Sequence, residues 1–260
     1  MKIGLNFLIM DKFFWNKKIK NNFNNAANNY SNYSFIQKYF AKKLIKLISE
    51  LNLPKGESFE LGSGTGYLAD LIEKKHKSIH VTRIDFSPNM LLQNKRNSKT
   101  ILWDLNLGLP SKVNNASLIV SCFCIHWLNN PQKAIKEWFE RLRTGGYLVV
   151  LFPTNKSFPE WIETCKKSDT EYSGLNFPSP YLFKNLFKET EIFLIEEYVY
   201  KETFPNIYKL FKSMINVGAH STKSKRKKIS ELKLMQEKWP KNRSENVNLT
   251  WNINVLILQK

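Results

Sequence analysis

Between positions 59 and 66 the chain reads Phe-Glu-Leu-Gly-Ser-Gly-Thr-Gly, with an acid, Glu60, two residues ahead of glycines at 62, 64 and 66. Alternate glycines let a backbone pass close to a ligand, and a helix opening behind them offers unpaired N–H groups to an anion. A dinucleotide fingerprint would place its third glycine at 67, where Tyr67 stands, so this spacing argues against close pyrophosphate packing. Further on, Asp85 ends a second apolar run in Val-Thr-Arg-Ile-Asp-Phe-Ser-Pro. A carboxylate there can accept both hydroxyls of a ribose, or it can cap the helix that opens at Ser87-Pro88. A third carboxylate, Asp104, follows the next apolar run, where it either contacts a ligand or caps a loop.

These groups need a scaffold that brings strand ends together. From residue 57 onward short apolar runs alternate with amphipathic stretches, the trace that a parallel sheet with crossover helices leaves in a sequence. The pattern predicts strands near 57–61, 79–86, 100–103, 117–125 and 146–152, with helices over 66–77, 87–97 and 131–143 between them. Gly145-Gly146 is read as closing the last of those helices. Residues 153–190 carry no clean period. Beyond them, strands are predicted at 191–204 and 249–259, enclosing helices at 205–219 and 229–238. Ahead of the first strand lies an Asn-rich stretch and then an amphipathic helix from Ser34, which either packs on the sheet or lids the site. The expectation is an α/β, Rossmann-like fold with a mostly parallel seven-stranded twisted sheet and helices on both faces. An N-terminal lid and a helical insertion before the last strand complete it. Residues 1–19 are read as an extension that need not be ordered. Residues 20–260 form one domain, divided into a lid (20–50), a core (57–152) and an acceptor-side region (153–260).

Composition narrows the classes. At 260 residues and 42% apolar content the chain can bury one large core, and 40 Lys and Arg against 22 Asp and Glu leave a net charge of +18. That excess favours an acidic partner, or it reflects the Lys- and Asn-rich bias of an AT-rich genome. Cys122, Cys124 and Cys165 form no C-x-x-C pair, so neither a disulfide framework nor a zinc site is indicated, and no metal is expected. The apolar run at 3–10 is too short to span a bilayer, which points to a cytoplasmic protein. "LIVSCFCIHWL", at 118–128, is a buried strand whose end carries His126 and Trp127 toward the site. The cysteines within it read as small buried residues rather than nucleophiles.

The acid, the glycine spacing and the "DFSPNML" that contains Asp85 resemble class I S-adenosylmethionine-dependent methyltransferases. The likeness implies S-adenosylmethionine as cofactor, held by Glu60, Gly62, Ser63, Gly64, Gly66, Asp85, Phe86, Asp104, Leu105 and Ser121. In it Asp85 takes the ribose and Asp104 the adenine amine, although Trp103 replaces the usual small residue before Asp104. The Pro-Cys of cytosine methylation and the Asn/Asp-Pro-Pro-Tyr of amino-group methylation are both absent, which weighs against a nucleic acid base as acceptor.

A narrower resemblance lies at the ends. Phe23, Ala26, Ala27, Tyr30 and Gln37 match the F-x-x-A-A-x-x-Y-x-x-x-x-x-x-Q opening of BioC-type malonyl-acyl carrier protein O-methyltransferases. The C-terminal stretch from Ile215, with Gly218-Ala219, a basic loop, a helix and a last strand containing Thr250, is similar to the same family. The likeness spans about residues 20–260 and is weakest over 153–190; Thr144 departs from the family's proline. It implies methylation of the free carboxylate of malonyl-acyl carrier protein on the route to biotin, by a monomer. Tyr30, His126 and Trp127 would then be the groups at the reacting centre, and Ile215 to His220 would line the channel for the acceptor's arm. The acidic carrier protein would dock on Lys223, Lys225, Arg226, Lys227 and Lys228. The main alternative is a methyltransferase acting on RNA or on another small carboxylate or quinone.

Overall fold

The computed structural model describes every residue except Met1, Lys223, Lys225 and Arg226, with side chains described from Phe13 onward. The chain opens with α1 (Lys2–Tyr33) and α2 (Phe35–Ser49). Five strands and three helices follow: β1 (Ser58–Leu61), α3 (Tyr67–Lys75), β2 (Val81–Asp85), α4 (Pro88–Leu92), β3 (Thr100–Leu102), β4 (Ala116–Cys122), α5 (Pro131–Glu140) and β5 (Leu142–Pro153). The last part holds α6 (Pro159–Lys167), α7 (Tyr181–Lys184), β6 (Ile192–Phe204), α8 (Ile207–Asn216), α9 (Ile229–Lys238) and β7 (Val247–Gln259). The seven strands form one sheet in the order β3-β2-β1-β4-β5-β7-β6, with β1 to β5 parallel and β7 antiparallel to both of its neighbours.

Both faces of the sheet are covered, which is why the central strands read as continuous apolar runs. On one face, Phe40, Leu44 and Ile48 of α2 and Leu68 and Ile72 of α3 pack on Val120, Val149 and Val255. On the other, Ile135 and Trp138 of α5 and Phe183 of α7 pack on Ile84, Ile119, Val150 and Phe152. A third apolar cluster joins Trp161 of α6, Leu210 of α8 and Met235 of α9 to Val247 and Leu249. Among the described residues no helix is long and apolar enough to cross a membrane.

Two local expectations are corrected, those for residues 87–97 and for Gly145-Gly146. The Asn-rich stretch is helical as part of α1, although asparagine is a poor helix former. Tertiary contacts override propensity here: Ile19, Ala26 and Ala27 are buried, Asn24 accepts from the Ser87 hydroxyl at 2.5 Å, and Asn28 accepts from Gln93 at 3.1 Å. The helix over 87–97 stops at Leu92, because the Asn94 amide donates to the last-turn carbonyls of Met90 and Leu91 at 3.1 and 3.2 Å. Gly145-Gly146 lies within β5 rather than closing a helix: α5 ends at Glu140, Gly145 has φ +75°, and a Cβ on Gly146 would meet the Ala116 carbonyl at 2.6 Å. Of the extension read at 1–19, the side chains up to residue 12 lie outside those described. Ile19 itself is buried within α1.

Candidate active site

The site lies beyond the carboxyl ends of β1, β2 and β4, where the strand order reverses and an open α/β sheet leaves a crevice. The loop leaving β1 turns back on β2, with the N–H groups of Gly62 and Ser63 both reaching the Ile84 carbonyl, at 2.8 and 3.0 Å. Its glycines do different jobs. A Cβ on Gly62 (φ +70°) would run into Cys124, so this residue serves packing. At Gly64 (φ +53°) a Cβ would meet nothing within 4 Å, so the loop presents bare backbone to a cavity. The Gly64 peptide is gripped from two directions: its N–H donates to Asp85 Oδ2 at 2.8 Å and its carbonyl accepts from Asn94 at 3.0 Å.

Asp85 is 6% exposed, and its second oxygen accepts from the Ser87 N–H at 2.8 Å. The Ser87 hydroxyl, not Asp85, caps α4 by accepting from Met90 N–H at 3.2 Å. Burial raises the Asp85 carboxyl to about 6, against the opposing N–H bonds from Ser87 and Gly64. Glu60, 3% exposed, accepts from Ala69 N–H at 3.0 Å, and burial pushes its carboxyl up to about 8. Asp104 spends one oxygen on Asn106, at 2.9 Å to the N–H and 3.0 Å to the amide, and so caps a short turn over Leu105–Leu107.

Of the residues expected at the cofactor, Glu60, Gly62, Ser63, Gly64, Asp85, Phe86, Asp104 and Leu105 all line this first cavity. Gly66 and Ser121 do not. Gly66 (φ +73°) is the N-cap of α3, and the space a Cβ would need is filled by Asn94 and Arg83. Ser121 is fully buried and donates to the Leu61 carbonyl at 2.9 Å, tying β4 to β1. Ser121→Ala is therefore expected to lower stability by about 1 kcal/mol and leave cofactor affinity within about twofold, checked by thermal unfolding and calorimetry. The sequence reading missed Asn16, Met90 and Trp103, which also line the cavity. Asn16 falls in the stretch read as an extension, and no local signal marks it.

A second cavity adjoins the first, and Phe23, Tyr30, Gln37, Phe123 and Trp127 line both. Phe23 meets Trp127 edge-on with ring centres 5.4 Å apart, and Phe123 holds a positive φ of 56° as the chain leaves β4. His126 lines only the second cavity, its ring centre 5.2 Å from that of Trp127, tilted by 42°, and 5.3 Å from that of Phe177, edge-on. Its Nδ1 has no hydrogen-bond partner, and burial lowers its pKa to about 3, so the ring is neutral. Burial raises the Tyr30 hydroxyl, which stays protonated. The wall common to both cavities thus carries no charge. The remainder of the second cavity includes Phe158, Trp161, Phe211 and Trp251, with Ile215, Val217, Ala219 and His220 along one side. Burial also pushes the Cys124 thiol up to about 12, which makes it inert at neutral pH. Within the basic run, Lys223, Lys225 and Arg226 lie outside the described residues; Lys227 borders the second cavity and Lys228 is exposed.

The first cavity fits S-adenosylmethionine by the chemistry of its walls. Three carboxyl groups and Lys38 face a ligand that carries a sulfonium, an ammonium, a carboxylate, two hydroxyls and an adenine amine. Ser63 Oγ, Gln37 Oε1 and Asn16 Oδ1, all on this wall, are buried without a hydrogen-bond partner. Orphaned polar atoms at that density mark a surface completed by a polar ligand.

Comparison with known proteins points the same way. Residues 59–150 match the family model described as a methyltransferase domain. The malonyl-[acyl-carrier protein] O-methyltransferase of Buchnera aphidicola subsp. Baizongia pistaciae is 30% identical over 234 residues, covering 87% of this chain and 92% of that protein. Malonyl-[acyl-carrier protein] O-methyltransferase 2 of Ilyobacter polytropus is 27% identical over 261 residues, covering 94% and 98%. Among solved structures, the YcgJ protein of Bacillus subtilis aligns with a TM-score of 0.58 at 12% identity, covering 85% of this chain and 97% of its own, a likeness of fold alone. The chain thus belongs to the malonyl-[acyl-carrier protein] O-methyltransferase family and is an S-adenosylmethionine-dependent methyltransferase.

Proposed function

We propose that this enzyme methylates the free carboxylate of a malonyl thioester carried on acyl carrier protein, giving the methyl ester that enters the pimelate part of biotin synthesis. The observation that carries this reading is the uncharged wall of Phe23, Tyr30, Gln37, Phe123 and Trp127 between the two cavities. S-adenosylmethionine, when bound, supplies an electrophilic methyl on a sulfonium. Glu60, Ser63, Gly64, Asp85 and Asp104 hold it, Phe86 and Leu105 pack against it, and Gly62 shapes the loop beneath. Tyr30, His126 and Trp127 orient the acceptor from the other side.

A carboxylate is ionised at neutral pH and needs no general base, so the neutral His126 is not required to take a proton. Charge is lost as an anion meets a sulfonium, and a lysine or arginine clamped on the attacking oxygen would stabilise the ground state more than the transition state. A wall of neutral groups holds the oxygen without that cost, and its aromatic rings exclude water. The family relatives are named for malonyl-[acyl-carrier protein], which supports an acyl carrier protein as partner.

The test is transfer of labelled methyl to purified malonyl-acyl carrier protein, with bulk RNA and free malonate as parallel acceptors. Label on the carrier protein alone is expected. Label on RNA or malonate, with none on the carrier protein, overturns the substrate while leaving the methyltransferase.

A further inference from the structure

We infer that Lys18 and Lys227, together with the hydroxyls of Ser221 and Thr222, form an anion subsite at the outer end of the second cavity. It takes the phosphate of a phosphopantetheine arm. The inference rests on the malonyl thioester reading and adds how the far end of that acceptor is held.

The charge of the second cavity is one-sided. Lys18, Lys227, His126 and His220 line it, and no aspartate or glutamate does among the described residues. Both lysines keep their charge uncompensated. Lys18 Nζ donates to the Thr222 carbonyl at 2.7 Å and Lys227 Nζ to the Glu171 carbonyl, and neither belongs to an ion pair among the described residues. The Ser221 hydroxyl accepts from the Asn22 amide at 2.9 Å, which leaves its own proton to donate. The Glu171 carboxylate accepts from the lining residue Ser224 at 2.9 Å but does not itself line the cavity, so the ammonium and hydroxyl donors that border it suit a phosphate oxygen, for which charge-assisted bonds are the strong ones.

The position of this cluster along α1 sets a length. Lys18 and Tyr30 sit on the same helix twelve residues apart, about 18 Å at 1.5 Å per residue. Lys18 and His220 are exposed at the mouth, whereas Tyr30 belongs to the wall shared with the cofactor cavity. An extended malonyl-phosphopantetheine arm has sixteen bonds from phosphorus to the carboxyl carbon, so it reaches about 18 Å at roughly 3.5 Å per three bonds. An arm anchored by its phosphate at Lys18 and Lys227 therefore delivers its terminal carboxyl group to Tyr30 and Trp127. A longer dicarboxyl thioester would overrun the wall.

The experiment uses the full chain with S-adenosylhomocysteine in the first cavity, and compares binding of 4′-phosphopantetheine with that of pantetheine. Wild type is expected to prefer the phosphorylated arm by about a hundredfold, two charge-assisted contacts at roughly tenfold each. In the double variant Lys18→Met, Lys227→Met that preference collapses to within about threefold, while Lys18→Arg, Lys227→Arg keeps most of it. Unchanged S-adenosylhomocysteine binding in both variants establishes that they fold. Equal binding of the two arms by wild type, or a preference that survives in the double methionine variant, overturns the subsite. Malonyl-acyl carrier protein and malonyl-coenzyme A then distinguish the source of the phosphate: a higher kcat/KM on the first assigns the subsite to the protein-borne arm, and a higher kcat/KM on the second assigns it to the free coenzyme. If no malonyl thioester is methylated but the phosphate preference holds and depends on the lysines, the substrate reading fails and the subsite stands.

Discussion

Replacing Asp85 by alanine is expected to weaken S-adenosylmethionine binding by roughly 30- to 1,000-fold and to leave the fold in place. Three losses combine. In the proposed cofactor pose the ribose loses a buried charged acceptor, and in the structure the Gly64 N–H and the Ser87 N–H each lose a partner at 2.8 Å. The Gly64 peptide is then held only through its carbonyl by Asn94, so the bare stretch of loop that faces the cofactor is no longer fixed. Asp85→Asn separates the contributions. It is isosteric, but its amide must turn an NH2 toward one of two N–H donors, so part of the affinity loss persists while packing is kept. Calorimetric titration of both variants, with circular dichroism as a control on folding, measures the effect. Unchanged affinity in Asp85→Ala removes this residue from the site.

The second large effect concerns pH. Glu60 is raised from 4.5 to about 8 by burial, with Arg83 opposing and Asp85 and Asp70 reinforcing, and Asp85 is raised from 3.8 to about 6. For a carboxyl group whose folded pKa lies above its unfolded one, the protonated form belongs to the fold. Its contribution to stability is complete below the unfolded value and is lost as pH rises through the folded value. The cofactor-free enzyme should therefore lose thermal stability as pH rises from about 4.5 toward 8, with Glu60 dominating the upper part of that window. Binding runs the other way, because a ligand of net positive charge favours the ionised carboxylates. Cofactor affinity should rise with pH by up to about tenfold per unit below pH 8, roughly a hundredfold between pH 6 and 8, with proton release on binding. Calorimetry in buffers of differing ionisation enthalpy reads both quantities. Glu60→Gln should flatten the profile; an affinity that is level between pH 6 and 8 in the wild type contradicts this account.

The central strands were legible because burial on both faces forces unbroken apolar runs, whereas the edge strands β3 and β6 are only partly buried; all seven fall where the pattern places them, within a few residues. The short helices of residues 153–190 were not. α6 is nine residues long and buries only Trp161, Thr164 and Cys165, too few turns for a period to emerge, although Pro159 at its first turn and Glu160 beside it were usable signals. The glycine loop and its acids were readable because a ligand imposes residue type and spacing together. Gly66 and Ser121 lie outside the cavity lining for local reasons: Gly66 turns the chain into α3, and Ser121 points back to the Leu61 carbonyl, since adjacency in sequence to a site does not fix the direction a side chain points across a strand. The second cavity draws on α1, α2, the segment after β4, α6, α8, α9 and β7, so long-range packing alone assembles it, and Phe158, Phe177 and Trp251 carried no local mark of belonging together. Asn94 was hidden in the same way, since its reach to Gly64 depends on α4 ending early.

The central claim is that the methyl group ends on the terminal carboxyl of the carried malonyl group. The most direct measurement is mass spectrometry of the arm ejected from acyl carrier protein after a single turnover, before and after mild alkaline treatment. The account predicts an arm heavier by one methyl group in place of a proton, located on the malonyl fragment and removed by alkali as methanol. A methyl group that resists alkali, or that lies on a protein side chain while the malonyl arm keeps its original mass, would contradict it.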